Sequence, residues 1–232
     1  MRTWSGGPGV GGAQWLPSNV SMVADASNAN NKLLRLRGTT SETGAGTSHS
    51  EIMTDDRKFR FGTYATRMKF HNNPLSGTRH YGDKPIETFF TITPYVENYL
   101  PCSEQDFEFM PNGGWGQGNT NTMWLTSWES TAIKDSDAIS ASFDGWHTVM
   151  LHITSNALSY YIDGVWQTTH DAHLSYQAWF DEIATNQSSS RTYHIEADWV
   201  YFAKDTILSQ SQVEAQVAAL RSSGLPRKDT VP

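Results

Sequence analysis

Ser103-Glu104-Gln105-Asp106-Phe107-Glu108-Phe109-Met110 is the stretch on which the reading of the fold turns. Its acids and aromatics alternate with a period of two. On a strand, that period puts Glu104, Asp106 and Glu108 on one face and turns Phe107 and Phe109 toward a core. Three like charges on one strand face repel, and no basic residue adjoins them in sequence. Such a row costs stability unless the face is well hydrated or the charges are put to use. The stretch runs into Pro111-Asn112-Gly113-Gly114-Trp115-Gly116, a flexible loop carrying a Trp, as at the rim of a cleft.

The sequence on either side is also strand and turn. Phe59 to Phe70 alternates well, with Gly62 as a bulge or kink. Lys32 to Arg37 alternates in part, and Thr88 to Thr93 is rich in β-formers. Trp146 to Thr154 and Leu158 to Ile162 form a strand pair, and Asp163-Gly164 turns tightly into Val165-Trp166-Gln167-Thr168. Arg191 to Phe202 supplies a last strand, with Ile195, Ala197 and Trp199 expected on one face. Many short strands with frequent turns mean an all-β sandwich or barrel. One segment differs. Ser211-Gln212-Val213-Glu214 reads as a capping box, Val213, Val217 and Leu220 fall at helical spacing, and Gly224 is a stop. We expect one short helix over 210–224, docked on the sandwich, and a frayed tail over 226–232. With no internal repeat or linker, residues 1–232 read as a single domain.

Composition agrees. The chain has 232 residues, 38% hydrophobic, 12% aromatic and 18% charged, with a net charge of -7. That length is enough for one large β domain. Lacking a basic run, the acidic chain is not suited to nucleic acid, which needs clustered Lys and Arg. No apolar run approaches a membrane span of roughly 18–20 residues. The lone Cys102 excludes an intramolecular disulfide and a Cys-based zinc cage. Met1-Arg2 leads straight into Trp4-Ser5-Gly6-Gly7 without an apolar leader, as a secreted protein lacking its signal would. The aromatic surplus suits a sugar-stacking surface and a large β core equally.

Paired carboxylates on one face are what retaining glycoside hydrolysis uses. One attacks the anomeric carbon and the other protonates the leaving oxygen, their carboxyl groups roughly 5–5.5 Å apart. Glu104 and Glu108 have Cα atoms about 13 Å apart on a strand. Long side chains leaning together on a concave sheet would close most of the excess. Asp106, between them, would hydrogen-bond one and separate their pKa values. The competing reading is a solvated acidic strand face. Aromatic flanks, Phe90, Tyr95, Tyr99 and Trp115, weigh against it.

Glu104-x-Asp106-x-Glu108 followed by Phe109 resembles the active-site signature of glycoside hydrolase family 16, in the form without an inserted residue found in bacterial lichenases and in xyloglucan and chitin-glucan transglycosylases. Other blocks agree in order: Phe61 to Lys69, Phe89-Phe90-Thr91, Trp146-His147-Thr148 with Leu158 to Gly164, and Asp198-Trp199-Val200-Tyr201-Phe202, together covering roughly residues 30 to 203. The resemblance implies a concanavalin-like β-jelly-roll sandwich with a concave substrate cleft. It makes Glu104 the nucleophile, Asp106 its hydrogen-bonding assistant and Glu108 the acid/base, with anomeric configuration retained. It implies no cofactor for catalysis, but some lichenase-like members bind a structural Ca²⁺ through the Asp matching Asp198. It also implies a polysaccharide or oligosaccharide substrate, most simply a β-glucan cut internally by a secreted monomer. The chain departs from lichenases at Leu100-Pro101-Cys102-Ser103, where they carry a Trp, and at Glu182-Ile183-Ala184-Thr185-Asn186, where they carry an aromatic.

The remaining candidates follow from position. Trp115, Tyr95, Phe90 and Trp124 are sugar-stacking candidates, each equally good as core material. Arg79 and His80 lie in a polar loop, as subsite contacts or plain surface. Glu51 and Glu182 are spare acids fit to accept a sugar hydroxyl. His147 and His152 have opposite parity on one strand, so they read as structural rather than as a metal pair. Cys102 has no activating neighbour. A transglycosylase with the same residues, or a lectin-like jelly roll, would share this sequence pattern.

Overall fold

A computed structural model describes residues 2–3, 11–41, 44–55, 59–92, 103–114, 117–130, 133–171, 178–183 and 190–231; at 2–3 and 178–183 the description is of the backbone alone. The strands are β1 (Arg2–Thr3), β2 (Gln14–Trp15), β3 (Val20–Asp25), β4 (Asn28–Thr40), β5 (Ser48–Met53), β6 (Gly62–Phe70), β7 (Ile86–Ile92) and β8 (Glu104–Met110). They continue as β9 (Thr122–Trp128), β10 (Lys134–Ser140), β11 (Gly145–Ile153), β12 (Leu158–Ile162), β13 (Val165–His170), β14 (Ala178–Ile183) and β15 (Arg191–Lys204), followed by the helix α1 (Gln210–Ser222). Two layers result. The first runs β10-β9-β8-β7-β14-β5, and the second runs β4-β15-β6-β11-β12-β13 with β3 on the edge of β4. A single register pair, Thr39↔Ser48, joins β4 to β5 where the layers meet.

Alternation builds the space between the layers. Phe89, Phe107, Phe109, Met123 and Leu125 come from the first sheet. Leu36, Tyr64, Met68, Phe70, Val149, Leu151, Tyr160 and Ile195 come from the second. Phe107 meets Tyr160 edge-on at 5.1 Å, and Phe109 meets Phe70 at 5.6 Å. Burying an aromatic or aliphatic side chain of this size stabilises by about 1.5–3 kcal/mol. The core is therefore what holds β8 flat enough to present its other face.

Two glycines are required by the backbone. Gly164 has φ 76° and Asp163 has φ 51°, the positive pair that a two-residue hairpin needs. Gly62 opens β6 at φ 133°, and a Cβ there would meet the Ala203 carbonyl oxygen.

The structure corrects two expectations. In β15 the register with β6 shifts between Ala197 and Trp199, a β-bulge at Asp198. Ile195 and Ala197 face the sandwich core, whereas Trp199 joins Ala65, Met150, Tyr161, Val213 and Val217 in a separate cluster under the helix. The capping box is Ser209 with Gln212, not Ser211 with Glu214: the Ser209 hydroxyl accepts from the Gln212 N–H, and the Gln212 side chain accepts from the Ser209 N–H. The first turn starts one residue before 211, so the reciprocal partners move with it. Val213 and Val217 are the buried stripe, and Gly224 follows at φ 71°. Pro226 to Val231 has no regular structure, with Pro226 to Thr230 exposed. It borders a cavity of about 540 Å³ that Leu34, Phe59, Trp199 and Phe202 also line. Among the described residues, no helix is long and apolar enough to cross a membrane.

Candidate active site

β8 sits inside its sheet, paired with β7 on one side and β9 on the other. Its acids therefore lie in three cross-strand rows. Glu104 aligns with Ile92 and Trp128, Asp106 with Phe90 and Thr126, and Glu108 with Thr88 and Trp124. Because Phe107 and Phe109 face the core, these rows face away from it. Gln105 turns inward and is locked there, accepting from Thr91 Oγ1 at 2.8 Å and donating to Ser103 Oγ at 3.0 Å. Phe90 and Ile92 pack with Met53 into an apolar floor beside the acids. Trp128 carries the Lys134 ammonium over its ring at 4.6 Å.

Asp106 is the most buried of the three, at 3% exposure, while Glu104 and Glu108 are half-buried. Burial is the first cause of the high pKa of each. The Asp106 carboxyl is held well above the usual range by burial and then by the charges of Glu104 and Glu108; the indole N–H of Trp128 donates to it and draws it back down. It keeps its proton and donates a hydrogen bond to Glu104. Burial pushes Glu104 up to about 7, and that bond from Asp106 pulls the other way. Burial and then the charge of Glu104 push Glu108 up to about 8, with the Lys134 ammonium lowering it. A fourth acid joins them. Glu51 on β5 is 4% exposed, and burial with the charge of Glu104 pushes it up to about 9. Its Oε1 and Asp106 Oδ1 have no hydrogen-bond partner among the described residues. The face thus holds one carboxyl ordered to ionise first, one to stay protonated longer, and a proton-bearing group between them.

No protein-family model and no curated protein matches the sequence. Solved structures do match. The Bacillus licheniformis β-glucanase superposes with a TM-score of 0.62 at 17% identity, over 87% of this chain and 92% of that one. A Bacteroides ovatus family 16 enzyme of a mixed-linkage glucan locus, in complex with a G4G4G3G product, gives 0.63 at 15% identity, over 87% and 94%. A Mycobacterium tuberculosis antigen described as a pseudo β-1,3-glucanase gives 0.55 at 14% identity, over 83% and 82%. The fold is that of glycoside hydrolase family 16.

Within that family 16 fold, the other sequence candidates fall in different places. Trp124 lies on the acid face in the row of Glu108, and Phe90 lies in the row of Asp106. At 6% exposure Phe90 is floor rather than an open platform. Arg79 braces the loop after β8: its Nε donates to Asn112 Oδ1 at 2.6 Å, and its Nη2 donates to Asn121 Oδ1 at 2.6 Å and to the Pro111 carbonyl. His80 is exposed; its Nδ1 accepts from the Gly82 N–H at 3.0 Å. Glu182 falls in the row of Glu87 and Ser50, one residue out of step with Glu51. His147 holds Asp163 at 2.6 Å and His152 holds the Leu208 carbonyl at 2.9 Å, both structural. Trp115, Tyr95, Tyr99 and Cys102 lie outside the described residues.

Asp198 does not fit a calcium ion. Its side chain is 3% exposed and already ringed by donors: Arg67 Nη1 at 3.1 Å, Arg221 Nη2 at 2.5 Å and Asn31 Nδ2 at 2.7 Å. Ca²⁺ takes six to eight oxygen ligands. Two guanidinium cations supply the countercharge here instead, so the Ca²⁺ implied for Asp198 is not supported by its surroundings.

Sequence reasoning missed residues that the register now supplies. Trp179 on β14 aligns with Phe90 and Met53, and Asp181 with Thr88 and Glu51. Trp179 is thus an aromatic residue in β14, three residues upstream of the 182–186 window. The signal was present as Ala178-Trp179-Phe180-Asp181, a short run with strand-forming aromatics. Lys134 escaped notice because its strand, Lys134-Asp135-Ser136-Asp137-Ala138-Ile139-Ser140, is too polar to alternate.

Proposed function

We propose that this chain is a retaining glycoside hydrolase that cuts a β-linked glucan internally by double displacement. The observation that carries the reading is the row Glu104, Asp106 and Glu108 on one face of a strand inside its sheet, with both glutamates held above the usual carboxylate range by burial. The fold it shares with β-glucanases supports the substrate class. In the first step the Glu104 carboxylate attacks the anomeric carbon. The bond to the leaving oxygen breaks, and that oxygen takes the proton of Glu108. In the second step Glu108, now a carboxylate, takes a proton from water, whose oxygen displaces Glu104 from the same carbon. Asp106 keeps its proton on Glu104 throughout, which lowers the cost of a buried carboxylate and helps it leave. Phe90 and Trp124 wall the face, and secretion without a required cofactor fits an enzyme that meets its polymer outside the cell.

The rate should peak between pH about 7 and about 8. Below the window Glu104 is protonated and cannot attack; above it Glu108 has no proton to give. Because the acids are coupled, the two limbs report the group. The test is turnover of β-1,3-, β-1,4- and mixed-linkage glucans by wild type, Glu104→Gln and Glu108→Gln. Each variant should lose at least about 10²–10⁴ in kcat with the melting profile intact. Azide should restore turnover to Glu104→Ala, giving a product of inverted configuration. A near-normal rate in either Gln variant on a substrate that wild type cleaves would overturn the assignment.

A further inference from the structure

The outer face of the second sheet carries a second cluster of polar groups that the proposed reaction does not use. In β15, Ile195 and Ala197 face the sandwich core, so His194 and Glu196 face outward. Lys69 and His71 have the same parity as each other, opposite to Met68 and Phe70, and Lys69 aligns with Glu196. The His71 and His194 rings stack at 3.9 Å and 27°. One ring nitrogen of each and a Glu196 oxygen all lie within 4.8 Å of one another. His194 and Glu196 are each 5% exposed despite facing outward. His71 Nε2 and His194 Nδ1 are buried and have no hydrogen-bond partner among the described residues. Buried ring nitrogens without partners are expensive, and a bound ion is one of the few things that repays them.

We propose that His71, His194 and Glu196 bind a divalent transition-metal ion of the zinc type. Two imidazoles and one carboxylate are a three-ligand zinc set, with a fourth position left for water. Glu196 is already oriented. Arg35 holds its Oε1 through Nε at 2.9 Å and Nη2 at 2.5 Å, which leaves Oε2 for the metal, 4.0 Å from His71 Nε2. Coordination at about 2.0–2.2 Å needs these atoms to draw in by about 1 Å and the two rings to tilt out of their stack, so that their in-plane lone pairs converge on the ion. The charged groups around the site are Arg35, Arg37 and Lys69 against Glu196 and Asp144. Two imidazole nitrogens with a single carboxylate oxygen disfavour Ca²⁺ and Mg²⁺, which take oxygen ligands, and suit ions that bind through imidazole. Lys69 Nζ, 3.8 Å from Oε2 on a side chain 36% exposed, swings into solvent to make room. The ion would tie the end of β6 to β15 across the sheet, on the opposite side of the sandwich from the acids.

The test uses the full chain, stripped with a chelator and titrated with Co²⁺ and, separately, Zn²⁺. One equivalent of Co²⁺ should produce visible d–d absorption, Zn²⁺ should abolish it by displacement, and Zn²⁺ should raise Tm while Ca²⁺ does not. His71→Phe keeps the stacked ring but removes the nitrogen at the less buried position, and His194→Gln removes the other. Each should weaken Zn²⁺ binding at least tenfold. Should His194→Gln not fold, His71→Phe decides alone, its metal-free Tm showing that the fold is intact. Absence of the Co²⁺ band in wild type, or an undiminished Zn²⁺ shift in His71→Phe, would overturn the proposal.

Discussion

Replacing Glu51 by Gln should stabilise the protein in alkaline solution and leave it almost unchanged in acid. Glu51 is buried beside Glu104, its Oε1 lacks a partner, and its carboxyl is raised from 4.5 to about 9. A carboxyl whose folded pKa is raised contributes stability below its unfolded pKa, and loses it as pH rises through the folded one, because the native state must hold a proton that the unfolded chain has released. Between 4.5 and pH 8 lie 3.5 units, and at about 1.4 kcal/mol each they amount to a penalty of about 5 kcal/mol. Part of the shift comes from the charge of Glu104, which is itself complete only above pH about 7. We therefore set the gain from Glu51→Gln at about 2–5 kcal/mol at pH 8 and under about 1 kcal/mol at pH 5. At about 2–4 °C per kcal/mol for a chain of this size, Tm should rise by about 5–15 °C at pH 8. Thermal unfolding of both proteins in matched buffers from pH 5 to 9 checks this. An equal Tm difference at both ends of the range, or a lower Tm for the variant at pH 8, would refute the account of Glu51 as a buried proton-bearing acid.

Two further outcomes follow from hydrogen bonds at Asp198 and Asp106. Arg221→Ala takes one guanidinium from a nearly buried carboxylate; with Arg221 itself 44% exposed, the loss should be about 1–2 kcal/mol in chemical denaturation, and added Ca²⁺ should not restore it. Trp128→Phe keeps a ring beside Glu104 but removes the N–H that Asp106 accepts, so kcat should fall about fivefold with KM nearly unchanged, by the net worth of one such bond of about 1 kcal/mol. A larger change in KM than in kcat would make Trp128 a sugar platform instead.

The acid row was legible because it needs only local periodicity: Glu104 to Met110 alternates without interruption, and so do β6, β11 and β12. What was not legible is non-local. Which strand lies beside β8 depends on the sheet order, so neither Glu51 nor the β14 row of Trp179 and Asp181 could be joined to Glu104 from spacing. The ionisation order was not readable either, because burial, the first cause in every acid of the row, exists only after the sheets close. The fate of Asp198 turned on Arg221, which reaches it from a helix that periodicity found but could not dock. The bulge misled the assignment of Trp199 for a simpler reason: parity counting assumes an unbroken ladder.

That bulge makes β15 behave as two messages written in different reading frames. Up to Ala197, odd-numbered residues are read by the sandwich interior; beyond Asp198, Trp199 and Tyr201 are read by the helix. The extra residue is the frame-shift that lets one continuous strand address both audiences. Were Asp198 laid into the ladder instead of bulged out of it, every downstream side chain would turn to the wrong reader, undocking the helix without touching it. Sequence drift in the helix and in the sandwich can proceed separately, so long as the count between them is kept.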